Sequence, residues 1–493
     1  MKVLIKIIIL IQHQNIIQNQ NMKDIFIFLT FCSLIIFIIS ADATEWKKRA
    51  IYQLMTDRFA TSNPNPPPCN VSEMKYCGGD HKGLQSKLDY IKNMGFDAIW
   101  LSPIVKNAEG SYHSYHTIDF YGLNEHFGTK ADMDNLVDAC HNNNIYIMLD
   151  VVANHVGLVG NDFRNINPFN SPEHYHEPCT ITDWTNYEMV EYCRLADLPD
   201  LKHENDYVAD ELLRWIKYMV KEYSIDGLRV DTVPEVPRWF WTKFNEACGV
   251  FQMGEVFNGN VEYVASYQGP LTATFNYPLY YSINDGFKGN MTKLHEYWDE
   301  KRKFYKDPTV LGVFIGNHDN ARFLYPNDGR TKKQLENASV FSVFWEGIPV
   351  IYYGDEQYFN GGGDPGCREA LWESGYKITE LYNYYRQSLN IRKKKAIWEK
   401  DLHEITYDED FYAFRRGSDI LVCVTSEKTL ERTFENKVLN GTKLANGDYI
   451  NIFDTNDKIT IGDTIKVSMT NDAKVYIPIG DQGLLIDPLP LSS

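Results

Sequence analysis

Four short apolar runs end in clusters of acidic and basic residues, and those clusters are where chemistry can be sought. DGLRVDTV, from Asp226, carries Arg229 two residues before Asp231. VFQMGEVF, from Val250, places Glu255 behind VFQMG, and VLGVFIGNHD, from Val310, ends in Asn317, His318 and Asp319. IYIMLDVVANH, from Ile145, runs through Asp150 to Asn154 and His155. Residues two apart on a strand share a face, so the Arg229 guanidinium is expected beside Asp231, holding it ionised as a nucleophile. Glu255 follows an apolar run, where partial desolvation raises a carboxyl pKa and retains a proton for a leaving group. One charged and one protonated carboxyl is the pair that retaining glycoside cleavage demands. A lone Asp at a strand end is ordinarily a turn former or helix cap, so the weight lies on three acids from three strands converging on one pocket.

Bringing those ends together requires a parallel sheet. Four further β-rich runs complete a set of eight: AIYQLMTDRF from Ala50, DAIWLSP from Asp97, TATFNYP from Thr272 and IPVIYYGDE from Ile348. Amphipathic stretches alternate with them, such as Gly83 to Met94 and Val208 to Tyr223, the latter with Leu212, Trp215, Ile216, Met219 and Tyr223 on one helical face. The expected fold is an α/β protein, a (β/α)8 TIM barrel whose catalytic groups gather at the C-terminal ends of the strands. The alternation lapses over 156–201 into Pro/Asn/Asp-rich sequence, far longer than an ordinary strand-to-helix loop, and is read as a small inserted domain after strand 3. From about residue 397 alternating segments such as FYAFRRG, DILVCVTSE and AKVYIPIG predict a C-terminal antiparallel β-domain, a β-sandwich over 397–493. The barrel then spans 44–396.

The motifs DVVANH from Asp150, GLRVDTV from Gly227, GEV from Gly254 and GNHD from Gly316, in this order, resemble the α-amylase family of glycoside hydrolases, in particular its secreted fungal-type members. The likeness runs on through KYCGGD, KLDYIKNMGFDAIW, NHDNARF and REALW. It implies a retaining endo-hydrolase of α-1,4-glucosidic bonds, with Asp231 as nucleophile, Glu255 as general acid/base and Asp319 gripping the sugar hydroxyls of the distorted transition state. It also implies that His155, Arg229 and His318 contact the sugar at the cleavage site, that Tyr115 stacks beneath it, and that Asp364 and Arg368 bind further toward the non-reducing end. Calcium is implied too, with oxygen from Asn154, Glu191, Asp200 and the main-chain carbonyl of Glu235 pinning the inserted domain to the barrel. Three residues depart from the family pattern: Pro234-Glu235 stands where Lys-His is usual, and His116 where a stacking Trp is usual. Binding on the leaving-group side is therefore expected to differ. An exo-acting α-glucosidase or a glucan transferase would share the same triad, and a non-catalytic glucan-binding protein would have lost it.

Composition sets the remaining expectations. Over 493 residues the net charge is -17, which repels nucleic acid and anionic lipid and favours a neutral or cationic ligand; the glucan that the resemblance implies fits, and a monomer is expected. Residues 1–43 read as a signal segment: Met22-Lys23, an apolar run from Ile25 to Ile39, and Ala41-Asp42-Ala43 as a cleavage pattern. They predict secretion without stable membrane association. Of nine cysteines, Cys32 leaves with that segment. The close pairs Cys69 with Cys77 and Cys179 with Cys193 are candidates for bridges, while Cys140, Cys248 and Cys423 lie in apolar segments as buried thiols. No CxxC or HExxH spacing supports zinc. Asn70, Asn290, Asn337 and Asn440 each open an N-x-S/T triplet and are candidate glycosylation sites.

Overall fold

The computed structural model describes residues 43–492. The proposed signal run and Cys32 lie outside the described residues. The eight strands expected from sequence all form: β1 (Ile51–Gln53), β2 (Ala98–Leu101), β3 (Tyr146–Val151), β4 (Gly227–Val230), β5 (Phe251–Gly254), β6 (Ala273–Thr274), β7 (Gly312–Val313) and β8 (Ile348–Tyr352). They pair in parallel and in chain order, β1 also pairing with β8. Between β6 and β7 the ladder is a single parallel bridge, Phe275 to Gly312, which closes the barrel. All eight strands are buried along their length, except for the half-buried Tyr146 that opens β3. This is why they read as unbroken apolar runs rather than as alternation.

Local chemistry sets the elements that aim the strand ends. An added Cβ at Gly254, just before Glu255, would run into Leu271 Cδ1 and Val233 Cγ2, so any side chain there would force those neighbours to shift. The helix Asp206–Glu222 starts where Asn205 accepts from the Tyr207 amide at 3.0 Å. It buries Val208, Leu212, Trp215, Ile216 and Met219, and Trp215 donates to the Phe120 carbonyl at 2.8 Å. The helix expected from Gly83 to Met94 is instead two, His81–Ser86 and Leu88–Met94, broken at Lys87 (φ -114°, ψ 11°).

The loop-rich stretch after β3 returns on itself: His155 bridges Asp200 and the Val156 amide donates to the Pro199 carbonyl at 3.1 Å. Within it lie the helix Tyr187–Tyr192, the Cys179–Cys193 disulfide and a small core of Ile181, Val190 and Cys193. Cys69–Cys77 forms the other disulfide, and Cys140, Cys248, Cys367 and Cys423 are buried thiols. Toward the C-terminus a six-stranded antiparallel sheet runs in the order Leu402–Tyr407, Phe411–Arg416, Ile420–Thr425, Lys474–Pro478, Gly447–Asn451, Asp454–Ile461. The pair Thr429–Glu435 with Thr464–Thr470 covers one face, where Phe411 and Ala413 meet Ile465, Val467 and Met469. Tyr412 and Phe414 point the other way, into the main core with Phe341 and Trp345, as the two-residue period of a strand demands. Among the described residues no helix is long and apolar enough to cross a membrane.

Candidate active site

A cavity of about 650 Å³ opens at the C-terminal ends of the barrel strands. Its floor is organised by Arg229, fully buried on β4. One guanidinium nitrogen donates to Asp150 Oδ1 at 3.1 Å and to Asp231 Oδ1, and the other lies 3.0 Å from Glu255 Oε2. Three carboxyls from three consecutive strands thus share one cation. After Asp231 the chain turns through Thr232 in the left-handed region (φ 46°), unusual for a β-branched residue, and this turn aims the Thr232 amide at Glu255 Oε2, 3.2 Å away. Glu255 Oε1 accepts from Tyr277 at 3.3 Å, whose hydroxyl in turn accepts from the Asn317 amide at 2.9 Å.

A relay of fixed rings adjoins it. Tyr115 stacks on His318 with centroids 5.3 Å apart and planes 9° apart. Its hydroxyl meets His318 Nε2 at 2.7 Å and Asp150 Oδ2 at 2.7 Å, and that same carboxylate oxygen accepts from the Trp100 indole at 2.9 Å. With the Gln53 amide donating to His318 Nδ1 at 2.8 Å, the ring proton sits on Nε2. His155 donates from Nε2 to the Tyr115 carbonyl at 3.1 Å. Arg368 reaches Asp319 Oδ1 at 3.3 Å and Asp364 Oδ1 at 2.9 Å, and it donates to the His318 carbonyl at 2.8 Å. Tyr115, His155, Asp231, Glu255, His318, Asp319, Asp364 and Arg368 all line the one cavity, and Arg229 lies beneath it.

These contacts pull the three acids apart in proton affinity. For Glu255, burial and then the neighbouring Asp231 and Asp319 outweigh Arg229, and its carboxyl is pushed up to about 8. For Asp231 burial again dominates, the Arg229 guanidinium opposes it, and the result is about 6. Sequence revealed the adjacent cation but not the depth of burial that opposes it. Asp319 is also penalised by burial, yet His318, Arg368 and Arg229 together hold it below its ordinary value. Burial takes His318 to about 3 and His155 to about 4, so both rings stay neutral hydrogen-bonding groups.

Beside the cavity, the side-chain amide of Asn154 faces the Glu235 carbonyl and Asp200 Oδ1, each 2.9 Å away. With the amide oxygen turned inward the three are acceptors without a donor, a set that suits a hard cation; with the amide reversed its NH2 bridges the two oxygens. Glu191 lines an adjoining pocket together with Arg238. Among the described residues no three His, Cys, Asp or Glu side chains gather as a metal site, consistent with a set built on one carboxylate, one amide and one carbonyl. His176 pairs with Asp200 Oδ2 at 2.6 Å and Glu204 at 2.9 Å, which raises the imidazole to about 9 against the cost of burial.

Sequence reasoning did not single out Gln53, Trp100 or Tyr277, and it gave Asp150 no role of its own. Asp150 was legible as the first residue of DVVANH; the others carry no signal apart from ordinary core chemistry.

Residues 53–406 match the family model described as alpha amylase, catalytic domain. The chain is 40% identical over 383 residues to alpha-amylase 1 of Lipomyces kononenkoae, covering 74% of this chain and 61% of that one. It is 35% identical over 466 residues to alpha-amylase 2 of Schwanniomyces occidentalis, covering 89% and 92%. Among solved structures, an alpha-amylase from Malbranchea cinnamomea superposes with a TM-score of 0.83 at 34% identity, over 89% of this chain and 98% of that one. One from Geobacillus thermoleovorans, complexed with acarbose, gives 0.79 at 30% identity, over 87% and 98%.

Proposed function

The chain belongs to the alpha-amylase family, and from that premise we propose that it is a retaining, endo-acting α-amylase that hydrolyses α-1,4-glucosidic bonds in starch-like or glycogen-like glucans. The observation that carries this reading is the Arg229 guanidinium shared by Asp231 and Glu255. Both carboxyls contact one cation, and Glu255 keeps its proton at a pH where Asp231 has lost its own, the division of labour that retaining cleavage uses. In the first step an Asp231 oxygen attacks the anomeric carbon while Glu255 protonates the departing glycosidic oxygen. In the second, Glu255 takes a proton from water, the water oxygen attacks the same carbon, and the bond to Asp231 breaks. Two inversions give net retention. Asp319, ionised and exposed to the cavity, accepts from sugar hydroxyls, and Tyr115, His155 and His318 orient the ring. Asp364 and Arg368 bind further toward the non-reducing end. A time course on amylose tests the whole reading: mid-length maltooligosaccharides released first, in the α-anomeric form, are expected. Glucose alone, or β-anomers, would overturn it.

We assign calcium to Asn154, Asp200 and the Glu235 carbonyl, with Glu191 as a further oxygen donor. The acceptor cluster described above supports the first three. Bound there, the ion would supply structural cross-linking between the loop-rich stretch and β4. Calcium at about 100 times its Kd stabilises a native-only site by roughly 2.7 kcal/mol, so excess chelator is expected to lower the melting temperature by several degrees and activity with it. Unchanged melting of protein shown to be metal-free would remove calcium from the account.

The same reading divides the chain into a signal segment 1–43, a barrel 44–396 interrupted by 156–201, and a β-domain 397–493. Secretion is supported by the two disulfides, which persist in oxidising compartments. In such a compartment Asn70, Asn290 and Asn440 are exposed. Asn337 is not: its amide donates to the Lys333 and Asn471 carbonyls at 2.8 Å each and its oxygen accepts from the Thr425 amide at 3.0 Å. Glycopeptide mapping of protein from a glycosylating host is expected to find glycans at one or more of the three exposed sites and none at Asn337.

A further inference from the structure

Asp364 and Arg368 reach the cavity from a loop, 361–369, that contains no helix or strand. With no backbone ladder of its own, such a segment takes its shape from side-chain contacts. Arg322 is central to them. It lies three residues beyond Asp319 on the chain after β7 and is 1% exposed. Its amide donates to the Gly361 carbonyl at 3.0 Å, its Nε to Glu369 Oε2 at 2.6 Å and its Nη1 to the Tyr353 carbonyl at 2.9 Å. Glu369 Oε1 accepts from the Gly361 amide at 2.8 Å. One carboxylate therefore joins the two ends of the loop, while Arg322 joins the loop to the chain that carries Asp319. The returning limb is held at the end of β8, where the Tyr352 and Tyr353 hydroxyls donate to the Cys367 and Glu369 carbonyls at 3.0 and 2.7 Å. Inside the loop, a Cβ added to Gly361 would run into the Gly366 carbonyl, so the two limbs touch.

We infer that Arg322 and Glu369 form a positioning pair for the sugar clamp made by Asp364 and Arg368: the pair fixes where that clamp stands relative to Asp319 and touches no substrate itself. The inference rests on the proposed reading of Asp364 and Arg368 as binders of sugars toward the non-reducing end. Neither Arg322 nor Glu369 is among the residues lining the cavity. Asp364 is exposed and meets Arg368 at 2.9 Å, and it lies between the two loop ends that the Glu369 carboxylate joins; Arg368 directly precedes Glu369. A binding group has to be held within roughly 0.5 Å of its productive place by the residues behind it, so loosening the pair weakens the clamp and leaves Asp231 and Glu255 where they are. The guanidinium suits the task because its planar fork holds Glu369 and the Tyr353 carbonyl at a fixed angle, which an ammonium does not. Asp355 Oδ1 lies 3.3 Å from Arg322, so a neutral side chain at 369 still leaves the buried cation an anionic partner.

Cleavage of 4-nitrophenyl maltopentaoside tests the pair, because the length of the labelled product reports which bond was cut. A register with one glucose on the Asp364 side never reaches the clamp, whereas registers with two or more do. Glu369→Gln is expected to raise the single-glucose share of cleavage several-fold by depressing the other registers. Arg322→Lys, which keeps the charge and loses the fork, is expected to shift the distribution the same way. The melting transition of each preparation establishes that folded protein is compared, and where Glu369→Gln does not fold, Arg322→Lys decides. A pair that only supports the fold would slow every register alike, so equal loss at all bonds, or an unchanged distribution, would overturn the inference. Asp364→Ala separates the inference from the reading beneath it. If Asp364→Ala shifts the distribution and neither pair variant does, the clamp stands and its positioning by Arg322 and Glu369 fails. If Asp364→Ala leaves the distribution unchanged, the reading of Asp364 as a sugar binder fails, and the positioning role with it.

Discussion

Asp231→Asn is expected to lower kcat on amylose by a factor on the order of 10⁴ to 10⁶, the range over which enzymes lose rate when a nucleophile is removed. The amide keeps the shape of the carboxylate, and Arg229 keeps Asp150 and Glu255 as partners, so no buried charge is left uncompensated. The fold should therefore persist, with a melting temperature within a few degrees of the wild type. What is lost is the anion that attacks the anomeric carbon. The two measurements belong together: reducing-end release from amylose, and the melting transition of the same preparation. Activity within tenfold of the wild type, in protein that melts normally, would take the nucleophile's role from Asp231.

The residues that bear on this result differ in how far the sequence exposed them. Asp231, Glu255 and Asp319 were legible because each ends a run that could only be a buried strand. Burial of all eight strands explains why the barrel was readable at all. The bounds were less so: TATFNYP and VLGVFIGNHD yield only two ladder residues each, since the barrel closes through a single bridge at Phe275 and Gly312. Beyond that bridge the chain after β7 is free to carry Asn317, His318 and Asp319 into the cavity. Tyr115, Asp364 and Arg368 sit on loops, where no periodicity marks them, and only the family resemblance reached them. Gln53, Trp100 and Tyr277 looked like core. Their roles come from single hydrogen bonds, to His318, Asp150 and Glu255, that exist only once strands distant in the chain are neighbours. The net proton affinity of Asp231 was not legible for the same reason, because burial is a property of the assembled barrel.

The Glu255→Gln variant separates the two halves of the reaction. On amylose, whose leaving group is a poor one, loss of the general acid is expected to lower kcat/KM by roughly 10²- to 10⁴-fold. An aryl maltoside with an acidic phenol needs no protonation to depart, so its first step should fall little. The second step still lacks its base, so one equivalent of phenol should appear rapidly and the glycosyl-enzyme should then accumulate. Azide, which attacks without surrendering a proton, should speed its breakdown and give a glycosyl azide. The pH profile carries the sharper discrimination. In the wild type, Asp231 must be ionised, so kcat/KM on amylose falls as pH drops through about 6. Glu255 must be protonated, so it falls again as pH rises through about 8. Glu255→Gln should erase the upper limb and keep the lower one. Glu235, which lines the same cavity and is pushed up to about 8 by burial and then by Glu255, is another carboxyl raised into that range. An upper limb that survives in Glu255→Gln and vanishes in Glu235→Gln would move the acid to Glu235, and with it the assignment of which carboxyl delivers the proton to the departing chain.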